Sequence, residues 1–138
     1  MAIKITTKQK TYEYIPVGER GEERPFTVTI KALNAREYAL TEDILTRMGQ
    51  DQTMLFTTGS YNYLIAQKGI KGWKNLLDEN DREIKPIMNG NYLAEESLNL
   101  LPPELVTEIA NVILGITKDP DNADLYLGNI DEDKEDKE

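Results

Sequence analysis

Neither cysteine nor histidine occurs in this chain of 138 residues. Their absence removes disulfides, thiol nucleophiles, Cys/His zinc centres, His-ligated haem and every Ser-His-Asp relay. Serine is limited to Ser60 and Ser97, and neither has an imidazole to activate it. Phosphate cradles of the Gly-x-x-x-x-Gly-Lys-Ser/Thr and Gly-x-Gly-x-x-Gly types are missing as well. Apolar runs are short, Val112-Ile113-Leu114 being typical, and far from the roughly 18–20 residues that cross a bilayer. Met1-Ala2-Ile3-Lys4 carries no apolar core of a secretory signal. These absences remove most enzymes, give no sign of a cofactor, a metal or a membrane partner, and read as an intracellular, soluble protein.

A general excess of positive charge is lacking too. The net charge is −9, but residues 119–138 hold nine of the 25 acids and two of the 16 bases. That tail therefore carries −7 and the remaining 118 residues only −2. A near-neutral body has no general attraction for a polyanion. Lys4, Lys8 and Lys10 beside Tyr12 and Tyr14 hint at a stacking strip for nucleic acid. They read better as charges guarding a hairpin edge, so no nucleic-acid partner is expected. The acidic stretches Asp78-Glu79-Asn80-Asp81 and Asp119-Pro120-Asp121-Asn122-Ala123-Asp124 do not fit a calcium loop. Its fifth position falls on Arg82 in the first and on Ala123 in the second. A solvated turn and a solvated tail are the expectation.

What is present is a change of hydrophobic period along the chain. Residues 1–33 alternate: Ile3 and Ile5, then Tyr12 and Tyr14 with Ile15 and Val17 beyond, then Phe26, Val28 and Ile30 against Thr27, Thr29 and Lys31. Period two predicts strands of a small antiparallel sheet, one face on a core and one in water. Residues 18–25 are a charged loop between the last two strands. From Asn34 the period becomes helical. Asn34 with Glu37 forms a capping-box pair, Tyr38, Leu45 and Met48 follow, and Gly49 suits a helix end. A second helix is expected from about Gln52 to Lys68, with Gly69 as its stop. Residues 70–87 suggest a short hairpin or extended loop, with Pro86 confining its second strand to an edge. A helix over Tyr92–Leu100 is broken at Leu101-Pro102, and Pro103 opens the last one. Leu105, Ile109, Val112, Ile113 and Ile116 form that helix's apolar stripe, and Gly115 falls near its close.

The fold class predicted is α+β: a small N-terminal antiparallel sheet followed by a bundle of about four short helices. Residues 1–118 make one domain, β-rich over 1–33 and mainly helical over 34–118. Residues 119–138 make an acidic, disordered tail, with the Leu125-Tyr126-Leu127 island as the exception to its polarity.

Three segments together resemble a known family. They are Phe26-Thr-Val-Thr-Ile-Lys-Ala-Leu33 running into Asn34-Ala-Arg-Glu-Tyr38, then Gly69-Ile-Lys-Gly-Trp-Lys-Asn-Leu-Leu-Asp-Glu-Asn80, and Leu100-Leu-Pro-Pro-Glu-Leu-Val-Thr-Glu-Ile-Ala-Asn-Val-Ile113. Over about residues 26–116 the chain is similar to the tail assembly chaperones of long-tailed bacteriophages. Many members have Gly after the acidic turn, where this chain has Asp81 and Arg82. The resemblance implies a non-enzymatic protein of the host cell cytoplasm. Such a protein holds the tape-measure protein, or another tail protein, in solution before the tail tube polymerises. Self-association stays open. A tail-completion or connector protein of the virion is the alternative. The residues expected to meet a partner are Tyr61, Ile65, Leu105 and Ile109 on the helical stripes, and Trp73, for which sealing the core is the competing role.

Overall fold

The computed structural model describes residues 10–50 and 54–128, with side chains for 10–43 and 61–128. Expectations for Ile3, Ile5 and the start of the second helix at Gln52, and for the side chains of Leu45 and Met48, lie outside these residues. The architecture is α+β, as the change of period predicts. Strands β1 (Thr11–Tyr14), β2 (Thr27–Lys31) and β3 (Ile70–Lys74) form an antiparallel sheet in the order β1-β2-β3. Helices α1 (Ala35–Gln50) and α2 (Met54–Gly69) lie between β2 and β3 in sequence. After β3 come a two-stranded hairpin, β4 (Met88–Asn89) and β5 (Tyr92–Leu93), and a single turn, α3 (Glu95–Leu98). The long α4 (Pro103–Lys118) and a short α5 (Ala123–Leu127) complete the described chain.

Residues 70–87 are expected as a short hairpin or an extended loop; residues 70–74 instead form β3, which completes the N-terminal sheet by pairing Val28 with Trp73 and Ile30 with Ile70. Ile70 and Trp73 are three residues apart, so regular alternation would send them to opposite faces. The register shifts by one residue between Thr29 and Ile30, which leaves Lys71 as the extra residue of a bulge. The bulge returns Ile70 to the face that carries Trp73. On that face Val28 and Ile30 meet the inward stripes of α2 (Ile65, Ala66) and α4 (Ile109, Ala110, Ile113, Ile116), forming one core. Helices α2 and α4 approach closely at Gly69, where an added Cβ would lie 2.6 Å from Ile113 Cδ1.

The sheet's other face is not simply in water. Lys31 is only 4 % exposed, and its Nζ is taken by Glu37 and by the carbonyl of Ala32. The chain turns into α1 directly after β2, which lays the first turn of that helix against the end of the outer face. The capping box forms as read: the Asn34 amide donates to Glu37 Oε1 and the Glu37 amide to Asn34 Oδ1, each at 2.9 Å.

Four local expectations are corrected. Helix α1 runs through Gly49 to Gln50. Tyr92–Leu100 is not one helix, because Gly90 at φ 68° turns the chain tightly and pairs Asn89 with Tyr92. Residues 84–87 join no strand; only the single bridge Leu77 to Glu83 closes the loop after β3. Finally, residues 119–128 are ordered: a 3-10 turn (Pro120–Asn122) leads into α5, which buries Ala123 and Leu127. Residues 129–138 lie outside the described residues.

Candidate protein-binding surface

Most of the residues expected to face a partner are used by the fold itself. Ile65 and Ile109 are wholly enclosed, and Tyr61 and Trp73 are 8 % exposed. Beyond Leu105 the α4 stripe points at α2 and the sheet, so a guest cannot reach that part while the core is closed. Tyr61 donates its hydroxyl to Glu42 Oε2 at 3.3 Å. Burial, with Glu42 and Tyr38 nearby, pushes its phenol up to about 12. Trp73 packs on Phe26 with ring centroids 6.1 Å apart and donates Nε1–H to the Ile84 carbonyl at 2.9 Å. It seals the core and ties down the loop after β3. Of the five, only Leu105 stays half-buried at an open concavity.

That concavity is a groove of about 410 Å³ where three non-periodic segments meet the start of α4. Its apolar floor is Phe26, Leu76, Leu105, Pro16 and Pro102, and its rim carries Glu19, Glu104 and Glu108. Leu105 and Glu108 are three apart and Glu104 and Glu108 four apart, so the first turns of α4 put all of them on one side. The opposite wall is the 3-10 turn Val17–Glu19. Glu108 Oε2 pins it by accepting the Val17 amide at 2.9 Å and the Tyr14 hydroxyl at 2.5 Å. Glu19 Oε1 accepts the Phe26 amide at 3.0 Å, closing the charged loop 18–25 on itself. Burial and then the Glu108 carboxylate raise the Tyr14 phenol well above its ordinary value, so it remains a donor throughout the physiological range. The third wall, Leu76, is held by its carbonyl, which accepts the Ile84 amide at 2.6 Å.

Apolar surface continues past the lining. Val17 and Leu77, chain neighbours of lining residues, are 64 % and 53 % exposed. Val17 was expected at the end of a strand; the turn points it to solvent instead. Polar groups that hold the walls beside apolar lining residues give the groove the make-up of a candidate surface for apolar side chains. Among the described residues no group of three or more Asp or Glu is arranged to hold a metal ion. Asp78 spends one carboxylate oxygen on the amides of Asn80 and Arg82 at 2.8 and 3.0 Å.

Two other concavities are less suited. A larger cleft of about 660 Å³ mixes Glu13, Glu22 and Glu23 with Arg20, Arg24 and Lys74, so its charges cancel. A cleft of about 310 Å³ lies between α2 and the start of α4, beside Tyr63 and Val106. The groove had one signal in the sequence: Pro16, Leu76-Leu77 and Pro102 are apolar residues that belong to no periodic stripe. Comparison of the chain with protein-family models, with curated proteins and with solved structures finds no match.

Proposed function

We propose that this chain is a tail assembly chaperone of a long-tailed bacteriophage, acting in the host cytoplasm on the tape-measure protein or another tail protein. The observation that carries the reading is the open apolar groove at the start of α4, where the described residues of the α2 and α4 stripes are otherwise closed into a core. Asp81 supports the resemblance on which the reading rests. It takes φ 62°, the backbone conformation that glycine adopts most readily, at the turn where many members carry Gly.

The groove suits weak and reversible holding. Its volume, near the low end of the roughly 300–1,000 Å³ of ligand pockets, takes two or three side chains of a guest rather than a whole helix. Burying two Leu-sized side chains contributes about 3–6 kcal/mol. Association costs about 4–15 kcal/mol, so one contact is marginal and holding depends on many copies along a long client. Such a client exposes apolar faces that aggregate unless covered. No described helix is long and apolar enough to cross a membrane.

The test is co-expression with an aggregation-prone segment of the tape-measure protein. The soluble yield of the segment is expected to rise with the wild-type chain and to fall back with Leu105→Asp. Equal yield with and without the chain, both proteins being well expressed, overturns the proposal. Stoichiometric presence in purified particles by mass spectrometry supports the virion-component alternative instead.

A further inference from the structure

We infer that the groove at the start of α4 selects a partner segment whose apolar side chains are flanked by lysine or arginine, an inference that rests on the reading of the chain as a binding protein. Three carboxylates, Glu19, Glu104 and Glu108, ring an apolar floor. Among the described residues none of the three forms an ion pair. Their contacts are with neutral donors: the amides of Val17 and Phe26 and the hydroxyl of Tyr14. The nearby base, Arg20, is turned elsewhere, with Nε on the Ile15 carbonyl at 3.0 Å and its guanidinium over the Tyr14 ring at 5.6 Å. It lines the mixed cleft rather than this groove. The N-terminus of α4 contributes a positive end worth roughly half a charge, too little to offset three carboxylates.

An apolar side chain entering this groove brings its neighbours on the guest against the rim. An acidic neighbour meets like charge as water is excluded, whereas a lysine or arginine supplies the missing counter-charge. On a helical guest, residues three or four apart from the inserted side chains are the ones that reach the rim. Glu104, exposed and without a side-chain hydrogen bond among the described residues, is the carboxylate best placed to reach a guest cation. Glu19 and Glu108 also hold the walls in place.

The experiment uses the full chain and two fluorescently labelled synthetic helical peptides. Both carry the same leucine edge; one is flanked by lysine and the other by glutamate. Fluorescence anisotropy is expected to show the lysine peptide binding at least about tenfold more tightly at low salt, with the gap narrowing at high salt. Glu104→Lys, at an exposed position, is expected to shrink or reverse the preference, and Leu105→Asp to weaken both peptides about tenfold or more. Equal binding of both peptides, or an unchanged preference in Glu104→Lys, overturns the inference. So does a concentration-dependent dimer that Leu105→Asp dissociates without peptide, since a second copy would then be the occupant. The outcomes separate from the chaperone test: a client kept soluble without peptide discrimination removes the charge rule and leaves the chaperone, and discrimination without client rescue does the reverse.

Discussion

Glu37 shows how much one side chain can be asked to do. It closes the capping box of α1 and also takes the charge of Lys31, which the fold buries. The first role was legible from Asn34 and Glu37 alone, because capping is local chemistry. The second was not, since alternation along β2 sends Lys31 to the outer face and only the turn into α1 covers it. Burial acts to raise the Glu37 carboxyl, but the Lys31 ammonium and the Asn34 amide outweigh it and hold it below its ordinary value of 4.5. A lowered carboxyl contributes stability that is present above its unfolded value and is lost as pH falls through the folded one. Glu37→Gln keeps a capping partner but strands the Lys31 charge. Its deficit against wild type in denaturant unfolding is expected to be largest near neutrality and to close on acidification. Glu37→Ala or Lys31→Met alone should each cost about 3–5 kcal/mol, and the double replacement by Met less than either. Additive costs would show that the pair is not coupled. Asp81 gives the opposite sign: at φ 62° its side chain opposes the backbone, so Asp81→Gly should leave stability unchanged or raise it by up to about 1 kcal/mol.

At the scale of elements, the sequence revealed those whose stability is periodic and hid those held by distant partners. Helix α4 was readable from its stripe and from Pro103. The partner of β3 was not, because Ile70 and Trp73 need a bulge to share a face and nothing local announces one. The β4–β5 hairpin was masked by Leu93, Ala94, Ser97 and Leu98, whose spacing imitates a helix, although Gly90-Asn91 was the turn signal. Helix α5 was hidden by the acidic composition around it. Its docking depends on shape: the Tyr126 ring lies against Gly115, where an added Cβ would come within 2.3 Å, while Leu127 is buried. Leu127→Ala is expected to cost about 2 kcal/mol or more and to speed amide exchange in α5 before it speeds exchange in α4. Simultaneous opening of both would mean that α5 belongs to the cooperative core. Gly69 is the complementary case. Alanine there gains up to about 1 kcal/mol of helix propensity but strikes the enclosed Ile113, so Gly69→Ala should destabilise by about 1–3 kcal/mol.

For the whole molecule, the closed core constrains how the proposed client could be held. Ile65 and Ile109 admit a guest only if α2 and α4 separate, which would sacrifice the largest helix contact of the fold. The groove admits one with no rearrangement, since its walls are pinned by Glu108, Glu19 and the Leu76 carbonyl. These two modes predict different exchange patterns. Docking in the groove should slow amide exchange over residues 17–19, 76–77 and 104–108 when the lysine-flanked peptide or a soluble client segment is added. The amides of β2 and of the centres of α2 and α4 should keep the rates of the free protein. Insertion between the helices would instead accelerate exchange around Ile65 and Ile109, because every core contact they make would be exposed for as long as the guest stayed. The stripe that dominates the sequence pattern of α4 would then be the binding surface after all, and the pinned groove only a feature of the fold. Unchanged core rates, with slowing confined to the three wall segments, place the partner on the surface that periodicity alone did not mark.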